Sequence, residues 1–422
     1  MSRRILIVTH PYPPVPSVGG NRWLAMAKYL RRDGHEVSVL TTAAFGSLPD
    51  DAAMGVERAP DLIAAPWLRA AFGRPALEAA GSGAEVEKPP NAFITSVVVP
   101  DHLALTWVPF AAHAARRIVR EREIDCVITT SAYESTHLVG LALGRGRPVW
   151  IADFRDGWTF HPWKPRFPTA LQRRLDRWLE QRVVTTADRA VVVERPVGED
   201  FRTRLGVDAA YVPNGWDPEL AAQADGASPP PLDADRFTLV HTGKLSGGWG
   251  RDPGPLLAAI GRLEGEASTR GQLELVLAGR LDSDEQRLIE RYGLGDAVRH
   301  VGELTRAESM ALQRQAGALL LLTSPTLVWE LPGKVFEYVG ARRPVLALAR
   351  GNEAARVVDE LGIGWTVAPD DVDDIADALR GAIDGRLADD YAPRDLDRVI
   401  YPAPAQALAG EIERAIAGRG AT

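Results

Sequence analysis

Short apolar runs, each trailed by a stretch with helical spacing, recur along most of this chain. Residues 4–9, with Ile5-Leu6-Ile7-Val8, have the unbroken apolar character of a strand buried on both faces. A proline-rich segment over 11–20 ends in Gly19-Gly20 and reads as a loop. Residues 21–32 set Trp23, Leu24, Met26, Ala27 and Leu30 on one side of a helix that Gly34 ends, and 36–40 form the next strand. The opening is therefore β–loop–α–β, a doubly wound start with a glycine-containing loop at the helix N-terminus. It lacks the G-x-G-x-x-G spacing of a dinucleotide fingerprint, which disfavours a nicotinamide enzyme.

The pattern weakens between 43 and 100, where 78–90, with Gly81-Ser82-Gly83, reads as a mobile loop. It resumes with helices expected at 107–121, 135–143 and 170–186, and strands at 125–130, 148–152 and 189–193. Ala, Pro, Gly and Asp crowd residues 221–235, which marks a domain boundary. A second series follows, with strands at 238–241, 273–277, 299–301, 318–322, 344–348 and 365–367. Its helices are expected at 255–263, 284–292, 306–315, 334–340, 353–361 and 372–383. Such alternation builds a parallel sheet wrapped on both faces. One more helix, over 403–417, ends the pattern. The expected divisions are an N-terminal domain over 1–215, a C-terminal domain over 216–395, and a helical segment over 396–422 that packs back on the first domain.

Composition narrows the class. A chain of 422 residues is too long for one ordinary core, so two domains are expected. With 45% apolar and 25% charged residues it is an ordinary globular protein. The net charge of −7 argues against a general nucleic-acid binder, while leaving room for a local basic cleft that takes a phosphorylated ligand. The one cysteine, Cys126, lies in an apolar run, so neither a disulfide framework nor a cysteine metal site is expected. No apolar run is long enough to span a bilayer, and Ile5–Val8 is too short for a secretory signal, so the expected location is cytoplasmic. The helix at 107–121 carries Arg116, Arg117 and Arg120, with Arg122 just beyond. A solvated helix face is the simpler reading of these arginines, and peripheral contact with the inner face of a membrane is the alternative.

The candidate chemistry lies in the second half. Pro332-Gly333 breaks the chain between a strand and a helix that opens at Lys334, a place where free backbone N–H groups and a full positive charge can meet an anion. Glu337 lies one turn further on. A carboxylate there suits neutral hydroxyls, such as those of a ribose, rather than phosphate. The bland alternative is a surface Lys–Glu pair. A second loop, His241 to Asp252, also follows a strand and precedes a helix; it carries Lys244, Arg251 and several glycines. In the first half, Asp153-Phe154-Arg155-Asp156-Gly157-Trp158 sits at a strand's C-terminal end, where α/β sheets place ligands. Asp282-Ser283-Asp284 has the look of a metal-binding pair, but it precedes a helix, and capping is the stronger reading. No G-x-S-x-G elbow accompanies Ser135 and His137, which disfavours a hydrolase.

Together these segments resemble the family 4 retaining glycosyltransferases of the GT-B fold, in particular their O-antigen and antibiotic-type members. Four stretches carry the resemblance in the family's order. They are the opening, with Pro11-Tyr12-Pro13-Pro14, Gly19-Gly20 and Gly34-His35-Glu36-Val37; the Asp153–Trp158 element; Val212-Pro213-Asn214-Gly215-Trp216-Asp217; and Pro332-Gly333-Lys334 with Glu337-Tyr338. The resemblance implies an α/β architecture of two Rossmann-like, doubly wound domains facing across a cleft. The C-terminal domain would bind a nucleoside diphosphate sugar and the N-terminal domain the acceptor. By the same resemblance Glu337 would hold the ribose hydroxyls, and Lys244 and Arg251 the diphosphate, helped by Gly333, Lys334, Gly19 and Gly20. Arg280, with Gly279 and Val301-Gly302, would flank the base. The acceptor side would include Asn21, Arg22, Asp153 and Arg155, and the catalytic set Asp156, Lys244, Arg251 and Glu330. The chain departs from the family in two places. Many members carry a second glutamate eight positions before Glu337; here that residue is Trp329, and Glu330 beside it is the candidate replacement. A histidine that many members use near the reaction centre is replaced by the Arg155-Asp156 region.

The expected activity is metal-independent transfer of a sugar, with retained configuration, from a nucleoside diphosphate sugar to a hydroxyl of a small-molecule, glycan or lipid-linked acceptor. No cofactor is expected, since the nucleotide-sugar is a substrate, and no nucleic-acid partner. A nucleotide-sugar epimerase of the same fold, or a non-catalytic nucleotide-sugar-binding partner of another transferase, are the alternatives.

Overall fold

The structure, a computed structural model, describes residues 2–14, 18–62, 98–102, 104–131, 133–160, 167–246 and 250–420. The loop expected at 78–90 lies outside these residues. The chain divides into two compact units, one comprising Met1–Asn214 with Pro402–Thr422 and the other Gly215–Tyr401.

The first unit is built on a parallel sheet of β1 (Arg4–Thr9), β2 (Glu36–Thr42), β3 (Val56–Ala59), β4 (Cys126–Thr130), β5 (Val149–Phe154), β6 (Arg189–Val192) and β7 (Ala210–Tyr211), in the order β3-β2-β1-β4-β5-β6-β7. Its helices are α1 (Val18–Arg32), α2 (Val108–Glu121), α3 (Thr136–Ala142), α4 (Ala170–Thr186) and α5 (Arg195–Asp200). Leu6, Val8, Leu40 and Val127 of the strands pack on Ala111, Ala115 and Ile118 of α2, with Trp107 beside them. Trp150, Phe154, Trp158, Val183 and Phe201 form a second cluster.

The second unit repeats the plan with β8 (Phe237–Thr242), β9 (Leu273–Ala278), β10 (Val298–Gly302), β11 (Ala318–Leu322), β12 (Val345–Leu348) and β13 (Gly364–Val367), in the order β10-β9-β8-β11-β12-β13. Its helices are α6 (Gly254–Gly265), α7 (Ser283–Tyr292), α8 (Arg306–Gln315), α9 (Lys334–Ala341), α10 (Glu353–Leu361), α11 (Val372–Ile383) and the short α12 (Arg386–Asp389). Alternate strand residues serve opposite faces. Leu239, Leu275, Leu320 and Leu346 meet Leu256 and Ile260 of α6 and Ile375 and Leu379 of α11. Val240, Val276, Leu319, Leu321 and Val345 meet Val335 and Val339 of α9 and Val358 of α10. Both faces being covered, the strands read as continuous apolar runs.

The last helix, α13 (Ala403–Gly420), belongs to the first unit. Glu413 there pairs with Arg3 at 2.6 Å, and Glu411 with Arg189 at 2.7 Å. The second unit runs to Tyr401, where the Trp216 N–H donates to the Val399 carbonyl at 2.8 Å and the Tyr401 N–H to the Trp216 carbonyl at 2.9 Å.

One expectation is corrected here. Gly19 and Gly20 lie in the first turn of α1, not in a loop ahead of it. A Cβ on Gly19 would meet the Arg155 guanidinium, which would have to shift, so the glycine accommodates a close contact rather than a turn. Three of the arginines on and just beyond α2 have partners within the unit. Arg116 bonds the Ala142 carbonyl, Arg117 pairs with Glu57 and Glu121, and Arg122 bonds Ser38.

Candidate functional site

In each sheet the strand order reverses beside the first strand, between β1 and β4 in one unit and between β8 and β11 in the other. The carboxyl ends of strands at such a switch point are where open α/β sheets form ligand crevices.

In the second unit this point gathers most of the residues singled out from the sequence. The loop leaving β8 begins at Gly243, whose φ of +93° favours glycine. Its N–H donates to the Ala278 carbonyl at 2.6 Å, and a Cβ added to Gly279 would strike the Gly243 backbone. The ends of β8 and β9 therefore approach as closely as a glycine at 279 allows. A Cβ on Gly243 would lie 3.2 Å from both Cε and Nζ of Lys334, so the ammonium at the start of α9 reaches over the β8 loop. Lys244 is exposed beside it. Gly333 is the N-cap of α9, where the N–H groups of Val335 and Phe336 donate to the Pro332 and Gly333 carbonyls at 3.1 and 3.2 Å, and the positive end of the helix lies at Lys334. Burial first, and then the Arg251 guanidinium, push the Lys334 ammonium down to about 8, against the opposing pull of Glu337 and Glu330.

Arg251 is held from two directions in sequence. Its Nε donates to Glu330 Oε1 at 2.7 Å and its terminal nitrogen to the same oxygen, while Glu330 Oε2 accepts from the Ser324 N–H at 2.8 Å. Glu330 was placed in the catalytic set, beside the position of the family's second glutamate. The carboxylate is buried and engaged, and it positions Arg251 rather than facing a ligand.

Glu337 lies one turn into α9. Burial raises its pKa, opposed by the charges of Arg306 and Lys334 and by a hydrogen bond from Gln313. Gln313 is itself buried and donates to Thr242 Oγ1 at 2.8 Å, so it ties the end of β8 to this carboxylate. Arg280 is exposed just after β9.

Several supporting residues escaped the sequence reading. Glu285 accepts from both the N–H and Oγ of Ser246 at 2.6 Å, and so pins the β8 loop from α7. The D-x-x-E pattern at Asp282 was the available signal: Asp282 and Glu285 form a capping box, which accounts for that aspartate. Asp284 pairs with Arg287. His241 places Nδ1 3.0 Å from the Leu320 carbonyl and Nε2 2.9 Å from that of Lys244, tying β11 to the loop. Burial, then Lys334 and Arg251, push this imidazole down to about 3, so it is neutral and donates to one of the two.

The first unit shows a different arrangement. Arg22 and Asp153 were placed on the acceptor side, but both are buried. Arg22 donates to Asp153 Oδ1 at 3.2 Å, to the carbonyls of Pro213 at 2.7 Å and Val212 at 3.0 Å, and to Asn214 Oδ1 at 3.1 Å. Asp153 also accepts from Thr130 Oγ1 at 2.8 Å. This is a clamp tying α1 and β5 to the end of the unit. Asn21 is exposed on α1, and Asp156 is partly exposed beyond β5. Arg155 lies against the first turn of α1, and its backbone N–H donates to Ser131 Oγ at 3.1 Å. At the end of β1, His10 Nε2 sits 2.8 Å from Asp61 Oδ2 in a buried pair that the sequence pattern did not mark.

Two family models cover most of the chain. Residues 19–220 match Glycosyltransferase Family 4, and 236–384 match Glycosyl transferases group 1. A probable glycosyltransferase, WbjE of Pseudomonas aeruginosa, is 25% identical over 210 residues, which span 47% of this chain and 50% of that protein. Among solved structures, sucrose-phosphate synthase from Thermosynechococcus elongatus superposes with a TM-score of 0.61 at 16% identity, covering 99% of this chain and 97% of that one. HepE of Anabaena, in complex with UDP-glucose, superposes with a TM-score of 0.58 at 16% identity over 99% of both chains. The two doubly wound sheets and the paired cationic loops thus define a glycosyltransferase fold of the GT-B type. The chain belongs to the group 1 glycosyltransferases, with a family 4 module preceding the group 1 module.

Proposed function

We propose that this chain transfers a sugar from a nucleoside diphosphate sugar to an acceptor hydroxyl, with retained configuration and without a metal ion or other cofactor. The observation that carries the reading is the convergence of Lys334, the Lys244 loop and Arg251 on the switch point of the second unit, with Glu337 one turn beyond. UDP-glucose bound by the similarly folded HepE supports a nucleotide-sugar donor. In this reading the C1–O bond to the β-phosphate breaks, and the electron pair leaves with the diphosphate. The acceptor oxygen bonds C1 on the same face and its proton passes to the departing phosphate. Fixed cations and helix N–H groups meet the charge that develops on the leaving group. The acceptor falls to the first unit, where Asp156 orients its hydroxyl.

A thermal-shift screen across UDP, GDP, ADP and dTDP tests donor binding, since a ligand that prefers the folded state raises the melting temperature. No shift with any of them at millimolar concentration would remove the reading. Slow hydrolysis of the matching sugar donor to a product of retained configuration separates a transferase from a non-catalytic binder. If Glu337 accepts the ribose hydroxyls, Glu337→Ala loses charge-assisted bonds of about 1.5–3 kcal/mol, roughly ten- to a hundredfold in affinity. Calorimetry with the nucleoside diphosphate reads this directly, and an unchanged Kd would sink the assignment.

Lys334 gives the binding a pH dependence. Its ammonium is present below about 8 and lost above it, while a diphosphate keeps its charge at neutral pH and above. Binding therefore weakens as pH rises, by about tenfold between pH 7 and pH 9, following the loss of the charged form. Lys334→Arg, which stays charged, should flatten the profile. A wild-type profile that is already flat would show that the ammonium does not meet the diphosphate.

A further inference from the structure

The helix α4 of the first unit presents a face that nothing in sugar transfer uses. Three of the eight large apolar side chains exposed among the described residues lie on it: Leu171 at 76%, Leu175 at 43% and Trp178 at 56%. Their spacing of four and three residues puts them within about 60° of one another around the helix, one continuous stripe. Arg174, Arg177 and Arg182 are exposed around that stripe. Both acidic residues of the helix point the other way. Asp176 is buried and accepts from Trp158 Nε1 at 2.8 Å. Glu180 is buried, accepts from the Thr159 N–H at 3.0 Å and pairs with Arg204 at 2.7 Å. The helix has thus sorted its charges: carboxylates anchor it to the unit, and guanidinium groups border an apolar stripe that faces outward.

We propose that this face of α4 is a docking surface for an anionic lipid bilayer, with Leu171, Leu175 and Trp178 entering the headgroup–acyl boundary and the arginines meeting the phosphates. An apolar stripe bordered by arginines, with a tryptophan in it, matches the chemistry of that interface on both counts. A second copy of this chain fits less well, because two such faces would bring arginines against arginines. The overall charge of −7 does not oppose docking strongly, since at about 0.15 M salt charges more than about 8 Å away are largely screened. No helix among the described residues is long and apolar enough to cross a membrane, so this contact is one that lies on the surface. The surface stands whether or not the second unit binds a nucleotide-sugar.

The test is co-sedimentation of the full chain with vesicles of phosphatidylcholine alone and of phosphatidylcholine with 30% phosphatidylglycerol, the latter being an amount of roughly the order that gives a strongly negative surface. The expected result is partition into the anionic vesicles only, lost as salt is raised. The triple variant Arg174→Gln/Arg177→Gln/Arg182→Gln should lose at least about tenfold, each arginine near such a surface being worth roughly fivefold. Leu171→Ser/Trp178→Ser should lose a comparable factor at unchanged charge. These are exposed positions, and circular dichroism with the nucleotide thermal shift checks that both units remain folded. Wild-type chain that stays in the supernatant overturns the proposal, as does undiminished binding by either variant. Self-association abolished by the Leu171 and Trp178 changes, without vesicle binding, would assign the face to a second copy instead.

Discussion

Replacing Lys334 by alanine is expected to slow sugar transfer about a hundredfold or more, and Lys244→Ala to do the same, while excess EDTA leaves the wild-type rate unchanged. The magnitude is that of removing one fixed donor from a developing oxyanion. Lys334 has the stronger claim of the two. Its ammonium lies over Gly243 and beside the N-terminus of α9, where the positive end of the helix and Arg251 already concentrate charge. Burial first, and Arg251 second, depress its pKa, and an arriving diphosphate offsets the charge of Arg251. The loss should therefore appear in both kcat and KM, because ground state and transition state both carry the phosphate charge. Metal independence has a separate basis. Divalent ions at diphosphates are held by carboxylates. Near these loops Glu330 is engaged by Arg251 and Ser324, Glu285 by Ser246, and Asp282 by the start of α7. Abolition by EDTA with rescue by magnesium or manganese would overturn this mechanism, and a full rate in Lys334→Ala would remove the residue from it.

Arg22→Met should destabilise the first unit by about 3–5 kcal/mol, the usual cost of leaving one partner of a buried ion pair behind. The Asp153 carboxylate would keep the Thr130 hydroxyl but lose its only cation among the described residues, and the Val212 and Pro213 carbonyls would lose a shared donor. For a unit of this size the melting transition should fall by roughly 10 °C. Arg22→Met/Asp153→Asn removes the stranded charge and should recover part of the loss, which a simple packing defect would not allow. Differential scanning calorimetry reads both. A shift under about 2 °C in the single variant would show that the pair contributes little.

Strands such as Ala318–Leu322 were legible because burial on both faces writes itself as an unbroken apolar run, and α4, α8, α10 and α11 because their spacing and caps are local. The loops of Lys244 and Lys334 could be found for the same reason, each being a glycine-bearing break between a strand and a helix. Depth was not legible. Arg22 and Asp153 look like surface chemistry in a motif, and what buries them is a pairing across 131 positions. Glu330 and Arg251 are 79 positions apart, so nothing local announced that one holds the other. Gly19-Gly20 carried the composition of a loop, yet they lie in the first turn of α1 with Arg155 against Gly19. The composition of residues 221–235 says little about packing for a related reason. The Ala- and Pro-rich stretch after Trp216 has linker composition, yet Trp216 and Ala224 pack on Met310 and Ala311 of α8.

The first unit closes only with α13, whose Glu413 reaches Arg3 across nearly the full length of the polypeptide. On the ribosome, the second unit therefore has all of its residues before the first has its last helix. Domains generally fold as units during synthesis, yet here the first unit can complete its packing only after the inserted unit has been made, and until then the surface that meets α13 is uncovered. A stalled or clipped product that lacks the last helix would then carry a finished second unit attached to an unfinished first one, and a fusion at the carboxyl end would burden the unit that holds the amino terminus.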